Sequence, residues 1–293
     1  MAASALGNIA RFSAGCTAAC HAAGAVPALI GALRAFPRDG HLCQSSCSAL
    51  GNLLSWSRWS TPEAAEALRR SCCQQGLPAA LLDALRAHSS EAGVLEAAGT
   101  ALGNLASGPF CASAVAAAGS VPVLLACLSS TAAAAAGTAR SGSRRTEKEE
   151  AAEAACYALR SLQEELPAAE SAQLLLSARA LQPLAACLQE FRDCTTVSEE
   201  AWEVASNLLA QQVQGQAQEG AGAGGSACDL AEQAGLLPLV AAALQEHPVS
   251  ARLASERVRT HARALSLSLL SVSLSLPALP HTCAFTPSPP ADL

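Results

Sequence analysis

The sequence predicts an all-α chain built from a recurring helical unit, and two observations carry that expectation. Apolar residues make up 51% of the 293 positions but aromatics only 3%, so alanine and leucine supply most of the hydrophobicity. Both head the helix scale, whereas the Val, Ile, Tyr and Phe that suit a pleated sheet are scarce. The chain also repeats itself. ALGNIA (residues 5–10), ALGNLL (49–54) and ALGNLA (101–106) are near copies, and ALRSLQ (158–163) and VASNLLA (204–210) are weaker ones. A second signature follows each: AGAVPALIGAL, QGLPAALLDAL, AGSVPVLLACL, RALQPLAACL and AGLLPLVAAAL. Its prolines, Pro27, Pro78, Pro122, Pro183 and Pro238, are 51, 44, 61 and 55 residues apart, periods that suit a two- or three-helix solenoid unit with variable loops.

Each half of the unit has a physical reading. In four of the five second signatures a Gly ends one helix in a left-handed conformation, and a Pro two or three residues later sits in the first turn of the next, where no backbone N–H is needed. After Pro27 the apolar Leu29, Ile30 and Leu33 recur at helical spacing, which predicts an amphipathic helix. The ALGN half belongs to another helix, with Leu50, Leu53 and Leu54 turned inward and Gly51 admitting a neighbouring backbone.

Taken in order, these signatures predict a truncated unit over 1–12, fuller units over 13–60, 61–107, 108–166 and 167–213, and a last unit over 214–276. The first copy opens inside its ALGN helix, which leaves a stacking face uncovered and predicts self-association, visible by light scattering. Two stretches read as flexible by composition: SSTAAAAAGTARSGSRRTEKEE (129–150), within one unit, and QGQAQEGAGAGGSA (214–227), between two. Residues 277–293 are Pro-rich and read as disordered.

A short helix, a second opened by Gly-x-x-Pro-x-Leu, and a third ending in Ala-Leu-x-Asn-Leu-Ala resemble the armadillo repeat, from residue 1 to about 276. The resemblance implies a right-handed α-solenoid, an armadillo-like superhelix of about five to six three-helix repeats whose third helices line a concave groove. It also implies that the Asn of each ALGN-type motif belongs to a ladder holding an extended peptide. The positions are Asn8, Asn52, Asn104 and Asn207, with Ser161 breaking the series. A carboxamide carries donor and acceptor together and can grip a peptide backbone without reading its sequence. The alternative is that each Asn bonds the adjoining helix turn.

Residues one and two turns earlier share the Asn face: Ser48 and Gln44, Thr100 and Glu96, Tyr157 and Glu153, Glu203 and Glu199. This face grows more acidic along the chain and favours a basic or neutral partner segment. Importin-α, a member of the family, places Trp four residues before each Asn. Here those positions hold Ser4, Ser48, Thr100, Tyr157 and Glu203, which argues against binding of nuclear-localisation signals. ALRAFPRDGHLCQSSCSALGNLL and ALRAHSSEAGVLEAAGTALGNLA resemble repeats of armadillo repeat-containing protein six and its relatives. LGNIARFSAGCTAACHAAGAVPAL resembles repeats of the small-GTPase GDP dissociation stimulator, which implies a small GTPase with a basic, prenylated tail as an alternative partner.

Other chemistries find little support. Net charge is −6 with no long basic run, which argues against direct nucleic-acid binding. Thirteen cysteines in a long chain without a secretory signal read as reduced thiols of a cytoplasmic or nuclear protein. CTAACH (16–21) has one residue too many for a c-type haem frame and too few ligands for zinc. Across the repeats, Cys16 is matched by Ala67, Cys111, Ala172 and Ala227, and Cys20 by Ser71, Val115, Leu176 and Ala231, as small packing residues would be. At His21 the equivalents are Cys72, Ala116, Ser177 and Glu232, which predicts an outward-facing position. No phosphate loop, G-x-S-x-G or H-E-x-x-H occurs. Residues 264–291 lack Asp, Glu, Lys and Arg, but five serines and Pro277 interrupt ALSLSLLSVSLSLPAL, so residues 264–279 read as a terminal helix, with a membrane anchor as the alternative. The expected protein is therefore a non-enzymatic interaction scaffold without cofactor or metal, binding a peptide or partner protein in its groove, with GTPase regulation as the alternative.

Overall fold

The structure is a computed structural model, and it describes residues 2–55, 61–136, 142–219, 227–236 and 239. Among the described residues every regular element is an α-helix. A lone α1 (Ala2–Ala10) precedes α2 (Ala14–Ala22), α3 (Ala25–Ala35) and α4 (Gly40–Leu54). The next triplets are α5 (Pro62–Gln74), α6 (Leu77–Ala87) and α7 (Ala92–Ala106), then α8 (Pro109–Ala117), α9 (Ser120–Ala136) and α10 (Ser143–Glu165). They are followed by α11 (Ala168–Ser177), α12 (Leu181–Glu190) and α13 (Thr195–Glu219), and by α14 (Ala227–Gln233).

Local chemistry starts and stops these helices. Ser13, Asp39 and Thr61 accept hydrogen bonds from the backbone N–H groups of Cys16, Leu42 and Ala64 at 3.0 to 3.2 Å, each cap stabilising its helix by about 1 kcal/mol. The turn from first to second helix is left-handed wherever the signature holds Gly, as at Gly24 (φ 79°) and Gly76 (φ 76°). RALQPLAACL has no glycine there, and Arg179 takes the left-handed role at φ 55°. Arg179 N–H donates to Leu176 O and Ala180 N–H to Leu175 O, so the same helix-ending bonds form with a Cβ in the disfavoured region. That conformation costs a residue with a Cβ about 1 to 2 kcal/mol, and the exposed Arg179 has little packing to lose. Arg179→Gly is therefore expected to raise stability by about 1 kcal/mol in urea denaturation; an unchanged or lower midpoint would show that the turn is not strained.

The triplets pack in register. The last helices contact one another in series, α1 to α4, α4 to α7, α7 to α10 and α10 to α13, and the middle helices form a second series, α3 to α6, α6 to α9 and α9 to α12. The first helices bridge neighbouring units: α2 lies on α1 and α3, α5 on α4, α6 and α8, α8 on α7, α9 and α10, and α11 on α10 and α13. Leu50, Leu53 and Leu54 are fully buried, as expected for the ALGN helix. Small residues let the last helices approach: a Cβ on Gly7 would come within 3.2 Å of Ala49 Cα, and one on Gly99 within 3.1 Å of the Ala154 carbonyl carbon.

Three expectations are corrected. Residues 129–150 are helical on both sides: α9 continues through Ala136 and α10 starts at Ser143, with residues 137–141 outside the described set. Alanine favours helix strongly, and Arg145 anchors the start of α10. Its buried guanidinium reaches Glu149 at 3.1 Å, the Glu190 carboxylate, Glu190 O at 2.5 Å and Ala135 O at 3.5 Å, and stacks on Phe191 at 4.7 Å. Residues 214–219 likewise continue α13, whereas 220–226 lie outside the described residues. His21 is half-buried rather than outward-facing, while Cys16 is half-buried and Cys20 buried.

Residues 264–279 and 277–293 fall outside the described residues. Among the described ones no single helix is long and apolar enough to cross a membrane, although two bent helix pairs pass by length and composition.

Candidate functional site

The series α1, α4, α7, α10, α13 brings the ALGN-type motifs side by side; the motif closes its helix in α1, α4 and α7 and lies near the middle of α13. Asn8 is exposed; Asn52, Asn104 and Asn207 are half-buried. Two of them reach back one helix. Asn52 Nδ2 donates to Gly7 O at 3.3 Å, and Asn104 Nδ2 donates to Gly51 O at 3.0 Å. In each case the acceptor is the glycine just before the previous Asn. Tyr157 Oη then donates to Asn104 Oδ1 at 2.9 Å, joining α10 to the same line. The partner in both cases is a turn of the preceding ALGN helix.

A carboxamide has two N–H donors and two acceptor lone pairs. These contacts use one donor of Asn52, and one donor and one lone pair of Asn104. The remainder sits on half-buried side chains already held in place, which suits capture of a peptide group at low ordering cost.

The glycines of the motif make the line possible. A Cβ on Gly103 would stand 2.4 Å from Tyr157 Cε1, so the ring occupies space that only glycine leaves. The following repeat has Arg160 at the glycine position and Ser161 at the Asn position. Ser161 is buried and donates to Tyr157 O within its own helix at 3.0 Å. The link onward to α13 is different: Gln163 Nε2 donates to Val204 O at 3.2 Å, and Arg160 Nε donates to Glu200 at 2.6 Å. Arg160 also bonds Glu164 at 2.6 Å, lies 3.9 Å from Glu203, and stacks over Tyr157 at 5.4 Å. Sequence reading missed Arg160, although its place in the glycine column of the repeat was the available signal.

The other predicted face residues divide into two groups. Ser48 and Gln44 are exposed on α4, and Thr100 is half-buried on α7. Glu96 on α7 and Glu153 on α10 are half-buried and close in charge to the exposed Glu150. Burial first, then Glu150 and Glu153, raise the Glu96 carboxyl above its usual range. Toward α13 the acidic trend is offset, since Arg160 counters Glu200 and Glu203; Glu199 is half-buried there. Trp202, one residue out of frame with the Asn face, is buried in the core.

The Glu96 shift has a stability consequence. A carboxyl whose folded pKa is raised binds more protons folded than unfolded, so stability falls as pH rises from its unfolded toward its folded pKa. Glu96→Gln is therefore expected to raise the melting temperature at neutral pH and to lose that advantage in acid, where Glu96 is protonated in both states. Equal gains at both pH values would show that charge is not the cause.

No protein-family model matches the sequence, and no curated protein matches it.

Proposed function

We propose that this chain is an armadillo-type α-solenoid acting as a non-catalytic scaffold, with its series of last helices receiving an extended segment of a partner protein. The observation that carries the reading is the Asn line. Asn52 and Asn104 are held by the preceding helix through Gly7 O and Gly51 O, and each keeps hydrogen-bonding capacity on the shared face. An extended peptide presents N–H and C=O groups that such carboxamides can satisfy at once. The proximity of Glu96, Glu150 and Glu153 favours a segment carrying Lys or Arg beside that line.

The test is selection of a random displayed-peptide library on the full chain, followed by fluorescence anisotropy of the selected peptides. Asn52→Ala combined with Asn104→Ala is expected to weaken binding roughly tenfold or more, the loss of two hydrogen bonds of about 1 kcal/mol each. Circular dichroism of the double variant separates a lost contact from a lost fold. Unchanged affinity in the folded double variant would reject the Asn line as the binding element.

A further inference from the structure

Side-chain bonds tie each last helix to the one before it as far as Tyr157 and then change character. Asn52 Nδ2 donates to Gly7 O at 3.3 Å, Asn104 Nδ2 to Gly51 O at 3.0 Å, and Tyr157 Oη to Asn104 Oδ1 at 2.9 Å. On α10 the glycine column of the motif holds Arg160 and the asparagine column holds Ser161. Ser161 is buried and donates its hydroxyl to Tyr157 O of its own helix at 3.0 Å, so this column offers no carboxamide on α10.

Arg160 does more than interrupt the column. In the three earlier units the glycine leaves room for a close neighbour on the following helix: Ala49 beside Gly7, Ala101 beside Gly51 and the Tyr157 ring beside Gly103. The same direction from residue 160 leads to α13, and the guanidinium fills it. Nε donates to Glu200 Oε2 at 2.6 Å and Nη2 to Glu200 Oε1 at 3.3 Å, a two-pronged pair, with Glu203 at 3.9 Å. Nη1 donates to Glu164 at 2.6 Å, and the group lies over the Tyr157 ring at 5.4 Å. Glu203 precedes Asn207 by the same four positions that separate Tyr157 from Ser161, so the two share a column. The bridge therefore crosses the shared face between Tyr157 and Asn207. With only 20% of its side chain exposed, Arg160 is held there as a fixed bar.

We infer that Arg160 closes the binding line at α10, so that the partner segment lies over α1, α4 and α7, ends against Tyr157, and carries its Lys or Arg at that end. This extent rests on the peptide-binding reading, and it fixes the segment's length. Packed helices stand about 10 Å apart and an extended chain advances about 3.3 Å per residue, so the two spacings from α1 to α7 take about six residues. A line open as far as α13 would take about twice as many. The basic end follows from Glu96 on α7 and Glu153 on α10, which lie close together on the last pair of helices before the closure. A Lys or Arg farther along would meet the like charge of Arg160, with Glu200 and Glu203 already engaged.

The test photo-crosslinks the full chain to peptides of about twelve residues, long enough to span an open line, selected from a displayed library and carrying a diazirine at one end or the other. Tandem mass spectrometry maps the adducts. They are expected on α1, α4, α7 and α10 as far as Tyr157, with none on α13. Trimming the same peptides to about seven residues around their basic end should change affinity by less than about twofold. Arg160→Gly combined with Ser161→Asn restores both columns; it should bring adducts onto α13 and tighten the untrimmed peptides roughly fivefold, as one further carboxamide contact would. Adducts on α13 of the wild-type chain, or a loss of roughly tenfold on trimming, would overturn the closure. So would a double variant that is folded by circular dichroism yet matches wild type in both adducts and affinity. The wild-type map and the trimming need no variant, so they decide the matter even if the double variant does not fold. Weakened binding in Asn52→Ala with Asn104→Ala, together with wild-type adducts on α13, would reject the closure and leave the peptide-binding reading standing. Unchanged binding in that variant would reject the reading itself.

Discussion

Gly99→Leu is expected to lower the unfolding free energy by roughly 3 kcal/mol, at the upper end of the usual range for overpacking. Gly99 is buried in α7, and a Cβ there would lie 3.1 Å from the carbonyl carbon of Ala154 and 3.2 Å from its oxygen. The opposing atoms are backbone in the middle of α10, so relief requires two helices to separate, not a side chain to turn. The matched control is Gly31→Ala. Gly31 lies exposed in α3 with nothing within 4 Å of the Cβ position, so alanine there gains helix propensity alone, about 0.5 to 1 kcal/mol. Urea midpoints should move in opposite directions for the two variants. A Gly99→Leu midpoint equal to wild type would contradict the close α7–α10 approach.

Arg145→Ala is expected to cost about 2 to 3 kcal/mol, as loss of several hydrogen bonds to charged and backbone acceptors. Arg145 gathers the end of α9, the start of α10 and the end of α12, and it lies over Phe191, which is fully buried. Native-state hydrogen exchange should localise the damage, with protection lost at the end of α9 and the start of α10 and retained in α3 and α4. Arg145→Lys should recover little of it, because a single ammonium lacks the planar fork that serves several acceptors while stacking on a ring. Uniform loss of protection along the chain would mean that this side chain is not a local anchor.

The helical class was legible because its signals are local. Prolines at the first turns of α5, α6 and α8, Gly24 and Gly76 in left-handed turns, and Leu50, Leu53 and Leu54 at core spacing depend on neighbours within a few residues. The register of the Asn face was legible for the same reason. What each Asn touches was not, since Asn52 meets Gly7 and Asn104 meets Gly51 across 45 and 53 positions of chain. Residues 129–150 misled through composition. Their Ser, Gly and charged residues suggest a loop, but the run TAAAAA and the segment EKEEAAEAA are strong helix formers, and the anchor Arg145 acts through Glu190, 45 positions away. Arg160 escaped notice because its partner Glu200 lies on a different helix, 40 positions on.

The bonds that join one triplet to the next span similar stretches of chain: Arg34 to Gln75 (41), Asn52 to Gly7 (45), Gln163 to Val204 (41) and Tyr157 to Asn104 (53). Folding can therefore grow by adding one triplet at a time to whichever neighbour has formed, each step closing a loop of similar length and similar entropic cost. Melting should follow the same grain, with the ends of the described array opening before α7. Calorimetric and van't Hoff enthalpies then need not agree, as a single two-state unit would require.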